Sequence, residues 1–431
     1  MVQKAKSLTD IFNLFKPMAL KADQLDFYQE TAKVRDRASY EYHDIIFERI
    51  ENLKSPERLL VVGHAGSGKS TELQVLMNKL TKDSIPVIHI EAKDDLDLYN
   101  FKYIDILMLI VEKMVQYVQA NNLKINKHIL SAFKKALSTK ITSEFWEEEA
   151  DVGINSEASV SASIPVFFKV IARISSSLKM ASGFKEELRE EIKPKIYDVI
   201  NSLNAFSDDI STQANKKVVI IIDGLEKCRQ ESVRKLFIED IGTISNINAH
   251  MLIACPIAVY RSVDAAILSS YFSAPVVIPM IKTHNEDGSR FDDGIKVIRE
   301  LILKRADASF FDEGVLDMII TSAGGSLRDT CTILSNSAFE AHMRKLEIID
   351  KNSVEFTLNK YATDVFFRVN SKLYPRTKKI FEGDKTAAQD EELSDLLYCG
   401  AVFEYENGKR WVNIHPLVRQ YIEKQPGVLD Y

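Results

Sequence analysis

Eight consecutive residues, Gly63-His64-Ala65-Gly66-Ser67-Gly68-Lys69-Ser70, have the make-up of a phosphate cradle. They fit the pattern G-x-x-x-x-G-K-[ST] at each fixed position. The apolar run Arg58 to Val62 before them reads as a buried strand, and Thr71 to Leu80 after them reads as a helix. A helix start presents unpaired N–H groups and a positive dipole end to an anion. The glycines let the backbone curl around phosphate without Cβ clashes. Gly63, His64, Ala65, Gly66, Ser67, Gly68, Lys69, Ser70 and Thr71 are therefore the expected nucleotide contacts. Lys69 is expected to reach the outer phosphates, and the Ser70 hydroxyl to ligate Mg²⁺.

Such a loop needs an acidic partner for the metal. Lys217-Val218-Val219-Ile220-Ile221-Ile222-Asp223-Gly224-Leu225-Glu226 supplies one: a β-branched run suited to a central parallel strand, with a carboxylate at its end. Asp223 is the expected second Mg²⁺ residue. Glu226 is the candidate to polarise an attacking water, with a solvated turn residue as the plainer reading. Many ATPases place that carboxylate directly after the aspartate, and here that position is Gly224, so slow turnover is expected. Cys255-Pro256, ending the next strand, offers a poor γ-phosphate sensor and points the same way. Farther on, Gly324-Gly325-Ser326-Leu327-Arg328-Asp329 reads as a lid whose arginine touches nucleotide, since a planar guanidinium suits phosphate oxygens. A surface pairing of Arg328 with an acid is the alternative.

The elements that must hold these residues follow the pattern of an α/β fold. Strands are expected at Pro86 to Ile90, His250 to Cys255 and Pro275 to Met280, separated by helical patterns. About 150 residues separate Lys69 from Asp223, far more than a minimal crossover requires. The excess reads as a helical insertion from about 100 to 213. One stripe runs through Ile104, Leu107, Met108, Val111, Met114, Val115 and Val118. A second runs from Phe184 through Leu188, Ile192, Ile196, Val199, Leu203 and Phe206 to Ile210, with Pro194 breaking or starting a segment. Packing against the first insertion helix is the plainer reading of that second stripe, and a partner or self-association seam the sharper one. Glu147 to Met180, Ser/Ala-rich with partial alternation, reads as neither strand nor helix. The domain plan is an N-terminal helical segment (1–56), the nucleotide domain with its insertion (57–285), a helical lid (286–355) and a C-terminal winged-helix-like unit (360–431).

Composition limits the partners. The 431 residues are 45% hydrophobic and 27% charged, with a net charge of −6, which gives no global attraction to nucleic acid or anionic lipid. Residues 360–431 carry 11 Lys/Arg against 11 Asp/Glu, so the phosphate attraction that dominates DNA affinity is small there. Cys228, Cys255, Cys331 and Cys399 lie far apart and read as small hydrophobes in a reducing compartment. Without a signal-like or membrane-spanning apolar run, a cytoplasmic protein with no membrane contact is expected.

Together these residues resemble the STAND and related AAA+ P-loop ATPases, specifically bacterial members that act as switches in antiphage defence and signalling. The resemblance rests on the tract Gly63 to Leu73, on Phe27-Tyr28-Gln29-Glu30-Thr31 with Arg35 or Arg37 following, on Asp223-Gly224-Leu225-Glu226-Lys227 and on Gly324 to Asp329. It departs at Ala65, where those proteins usually carry arginine or lysine. It implies a P-loop NTPase sheet followed by a helical lid and winged helix, ATP or ADP with Mg²⁺ as cofactors, and a homo-oligomer working with a separate effector or sensor protein. It also implies a role for His415, in Val412 to Arg419, as a latch on the ADP β-phosphate; a helix-capping histidine is the plainer reading. Arg261 and Arg305 are candidates, by position alone, for an arginine acting across subunits. The alternative function is a DNA-binding ATPase of the origin-recognition or loader kind, which the charge balance disfavours.

Overall fold

A computed structural model describes residues 3–36, 40–53, 55–137, 160–180 and 183–430. Arg37 and the stretch 147–159 lie outside the described residues. Five parallel strands form the central sheet: β1 (Arg58–Gly63), β2 (Val87–Glu91), β3 (Val219–Asp223), β4 (His250–Pro256) and β5 (Val276–Ile278), in the order β2-β3-β4-β1-β5. All the strands expected from sequence are present. Because successive side chains point to opposite faces, each strand feeds two cores. Leu59, Val61, Val219, Ile221, Leu252, Ala254, Val276 and Ile278 pack with the helix Tyr42–Asn52 and the P-loop helix Lys69–Lys82. Leu60, Val62, Ile88, Ile90, Ile220, Ile222, Met251 and Ile253 face the other way.

The region between Lys69 and Asp223 supplies much of that second layer. Helix Tyr103–Ala120 lies on β2 and packs against Val160–Lys179 and Ile196–Ala214. The second stripe breaks where Pro194 sits, in a 3₁₀ turn Lys193–Lys195 between Gly183–Ile192 and Ile196–Ala214. Leu188, Ile192, Val199, Leu203, Phe206 and Ile210 are buried within the chain, so the seam is internal core. The stretch that sequence left unassigned contains a 20-residue helix, Val160–Lys179, with Pro165 in its first turns and Phe167, Val170, Ile171, Ile174 and Leu178 buried. Pro165 lies more than one turn inside the helix, so its missing N–H forfeits one intrahelical bond near the N-terminal end.

After the sheet come helices Asp292–Leu303, Val315–Ser322, Leu327–Met343 and Lys351–Phe366. The N-terminal helix Leu8–Leu14 packs on Leu327–Met343, with Ser335 Oγ donating to Phe12 O at 2.9 Å. Helices Tyr374–Phe381 and Glu391–Cys399 lead into the hairpin β6 (Val402–Asn407) and β7 (Lys409–Ile414), closed by Pro416–Lys424. The hairpin is turned inward: Phe403, Tyr405 and Trp411 form a small core with Met280. Among the described residues no helix is long and apolar enough to cross a membrane.

Candidate functional site

The glycine loop joins the C-terminal end of β1 to the P-loop helix, at the sheet edge where open α/β folds bind ligands. Ser67 N donates to His64 O at 3.1 Å, tightening the turn. Gly66 has φ +86°, and a Cβ there would lie 2.7 Å from Arg328 Cβ and Ser326 Oγ, so only glycine lets the lid close this tightly. Lys69 is buried, and its Nζ donates to Gly63 O (2.9 Å) and His64 O (2.8 Å). Burial lowers its pKa, against the pull of Glu226 and Asp223, so the ammonium has an incentive to meet an anion.

Beyond the loop opens a cavity of about 650 Å³, roomy enough for a nucleotide. Its lining includes Gly66, Gly68, Lys69, Ser70, Thr71, Glu226 and Arg328, together with the apolar Met18, Leu20, Phe27, Leu301 and Leu327. Ser70 and Glu226 both act on Asp223. Asp223 is 2% exposed and hydrogen-bonds Ser70. Burial, with Glu226 and Glu91 adding negative charge, pushes its pKa up to about 6. Carboxylates beside a hydroxyl are a donor set that fits Mg²⁺, which Ser70 and Asp223 would hold. Glu226 is lowered: burial would raise it, but Lys69 and Arg328 hold it ionised. Arg328 Nη2 lies 3.6 Å from Glu226 Oε1, so the lid arginine reaches across to the acidic strand's end.

Two contacts tie the loop to the rest of the chain. Leu327 N donates to Gly66 O at 3.0 Å, joining loop to lid. On the other side the His64 ring is buried, and its Nε2 accepts from Glu404 N of the hairpin at 2.8 Å. Burial, with Lys69 and Arg261 nearby, brings its pKa down to about 3, so the ring is neutral with its proton on Nδ1. His64 therefore contacts the hairpin rather than the cavity. Gly63, Ala65 and Ser67 likewise support the loop from behind without lining the cavity. Arg35, 2% exposed, donates to Ser67 O at 2.6 Å, to Thr31 Oγ1 at 3.0 Å and to Pro279 O, bracing the loop from the N-terminal segment.

His415 is not brought to the phosphate cradle. Its Nδ1 accepts from Leu417 N at 3.0 Å, capping the last helix, and its Nε2 donates to Asp329 Oδ2 at 3.3 Å. Both nitrogens are engaged in holding the lid to the C-terminal unit, the plainer of the two roles its sequence allowed. Arg261 and Arg305 are corrected as arginines acting across subunits. Arg261 is buried against Glu404 of its own chain (Nη2 to Oε1 2.6 Å), and Arg305 is buried over the Phe15 and Phe27 rings. Sequence reasoning missed His89 and Glu91, which line the cavity from β2, and the Arg261–Glu404 pair. Only a polar residue within an apolar strand, at His89, hinted at the first.

Residues 42–253 match the KAP family P-loop domain, a span that covers β1 to β3 and most of β4. No curated protein matches the chain. Among solved structures, Cdc6p from Pyrobaculum aerophilum is 13% identical over 89% of this chain and 91% of its own, with a TM-score of 0.37. The ORC2 protein of Aeropyrum pernix, in ADPNP–ADP complexes, is 12% identical over 99% and 98%, with a TM-score of 0.44. The Holliday-junction branch-migration motor RuvB of Thermotoga maritima is 10% identical over 93% and 98%, at 0.35. At such scores these likenesses carry nothing about function. The match and the five-stranded parallel sheet agree on the fold, that of a P-loop NTPase.

Proposed function

We propose that the chain is a nucleotide-operated switch: ATP with Mg²⁺ binds at the P-loop, is hydrolysed slowly, and sets whether lid and hairpin stay docked. One observation carries this reading. The phosphate loop is held on one side by the lid, through Gly66 O and Leu327 N, and on the other by the hairpin, through His64 Nε2 and Glu404 N. A ligand that reshapes the loop must strain or relieve both contacts. It shifts the docked equilibrium only by its differential affinity for the two states, and a full reversal from 1:99 to 99:1 takes about 5.5 kcal/mol.

The residues divide the work as follows. Lys69 and Arg328 place positive charge on the outer phosphates, and Arg328 gives up Glu226 to do so. Ser70 and Asp223 would hold the metal, which when bound would supply neutralising charge to the phosphates. Glu226 orients the attacking water. Gly224 directly follows Asp223, so the orienting carboxylate comes from three residues on, which favours slow turnover. Slow turnover suits a switch, because the ATP state persists long enough to act.

The released surfaces then serve self-assembly or docking of a separate effector protein. The resemblance to STAND ATPases supports a setting in bacterial defence or signalling. Light scattering tests the reading with ADP, with ATP and Mg²⁺, and with Glu226→Gln plus ATP. A rise in mass confined to ATP supports an assembly switch. An unchanged monomer in all three removes self-assembly, and salt-sensitive binding of duplex DNA would favour the loader alternative.

A further inference from the structure

β2 brings to the cavity two side chains that this switch chemistry does not use. Glu91 lies directly beside Asp223 in the parallel β2–β3 register, and His89 lies beside Ile221. Alternate residues of a strand share a face, so His89, Glu91 and Asp223 all stand on the P-loop-helix side of the sheet. One ring nitrogen of His89, one oxygen of Glu91 and one oxygen of Asp223 lie within 4.8 Å of one another. Nε2 of His89 is buried and has no hydrogen-bond partner among the described residues.

The Glu91 carboxylate is packed against the turn that follows Asp223. Gly224 follows Asp223 with φ +79°, and a Cβ there would overlap Glu91 Oε1 and come within 3.1 Å of its Cδ. The space that a side chain after Asp223 would take is occupied by the Glu91 carboxylate, delivered from the neighbouring strand. The short helix Ala92–Asp95 after β2 fixes the Glu91 backbone: Asp95 accepts from Glu91 N at 3.0 Å, and Lys113 pairs with Asp95 at 2.8 Å. Lys227 Nζ holds Glu91 Oε1 at 2.5 Å, offsetting part of its charge.

We propose that His89, Glu91 and Asp223 form a divalent-cation site that fills without nucleotide and prefers a first-row transition ion such as Mn²⁺ over Mg²⁺. The donor set decides the preference. An imidazole nitrogen with two carboxylates suits Mn²⁺, Fe²⁺ or Zn²⁺, whereas Mg²⁺ favours oxygen ligands and keeps its waters. An ion here sits on the β2 side of Asp223, opposite Ser70, and holds that carboxylate in place for the metal that accompanies phosphate. Because the site needs no phosphate, it stands apart from the nucleotide reading.

The test uses the full chain, chelator-treated and free of nucleotide, titrated with Mn²⁺ while the free-ion signal is followed by electron paramagnetic resonance. One tight Mn²⁺ per chain is expected, retained against a tenfold excess of Mg²⁺ on the order expected from the ligand preferences. His89→Ala is expected to weaken it by at least about tenfold, as loss of a metal-site residue does. Pulsed measurements should show ¹⁴N coupling from the imidazole in the wild type and none in His89→Ala. Lys227→Met, which frees Glu91, is expected to tighten binding, so the proposal stays testable if the alanine variant misfolds. Absence of ¹⁴N coupling, displacement by equimolar Mg²⁺, or weaker binding in Lys227→Met overturns it. No nucleotide enters the titration, so failure of the switch reading would leave its outcome untouched.

Discussion

Replacing either member of the Arg261–Glu404 pair should loosen the hairpin far more than replacing both. The guanidinium grips the carboxylate through Nε (2.9 Å to Oε2) and Nη2 (2.6 Å to Oε1), with the side chains 9% and 6% exposed. Removing one partner strands the other charge in a buried site, a loss of about 3–5 kcal/mol. Arg261→Met together with Glu404→Leu strands nothing, and exchanging a buried ion pair for well-packed apolar groups is neutral to within about 1 kcal/mol or stabilising. The backbone bond from Glu404 N to His64 survives in every variant, which isolates the charge pair. The hairpin's own Trp411, buried and stacked on Tyr405 at 4.6 Å, reports undocking by fluorescence in a urea titration once Trp146 is replaced by phenylalanine. Because each single loss is about 3–5 kcal/mol and the double variant loses about none, the double-mutant cycle should give a coupling of about 5–10 kcal/mol. Single losses that simply add would refute the reasoning, because the pair would then not be a coupled, desolvated clamp on the hairpin.

Other outcomes follow from the same geometry. Lys69→Ala should lower nucleotide affinity by at least about a hundredfold while the circular dichroism spectrum stays unchanged, since charged hydrogen bonds to phosphate are lost and the fold does not depend on them. Gly66→Ala should cost about 1–3 kcal/mol and free the lid to proteolysis, because the backbone is left-handed and the new Cβ meets Arg328. Asp329 is buried, which alone would raise its pKa, but bonds from His415, Tyr361 and Ser326 bring it down to about 2. Its ionised form thus contributes about 2 kcal/mol that is fully present above pH ~4 and lost as pH falls through ~2. Stability of Asp329→Asn, followed by urea melts from pH 7 to 2, should be lower at neutral pH and converge on the wild type at the acid end.

The parts of this molecule visible in sequence are those whose chemistry is local. The glycine loop, its flanking strand and helix, and the aspartate ending β3 each need only neighbouring residues to be recognised. The pairs that hold the site together are distant in sequence: Glu404 meets His64 340 residues away, and Glu91 reaches Gly224 only because β2 lies beside β3. No spacing rule exposes such contacts. His64 read as a nucleotide contact because it lies within the phosphate loop, whereas its ring turns toward the hairpin. Helix Val160–Lys179 escaped notice because Val160, Ala162, Ile164, Val166 and Phe168 alternate like a strand. Among the described side chains, the buried ones follow helical spacing through Val166, Phe167, Val170, Ile171 and Ile174. For His415, the resemblance suggested a phosphate contact, whereas the adjoining Pro416 at the start of a helix made capping the simpler fate.

Hydrogen exchange of the hairpin, residues 402–414, in Glu226→Gln saturated with ADP or with ATP and Mg²⁺ tests the coupling of loop, lid and hairpin most directly. Faster exchange with ATP than with ADP, abolished by Lys69→Ala, is the expected result. Equal exchange in the two nucleotides, with binding of both verified, would contradict the claim that the phosphate loop governs hairpin docking.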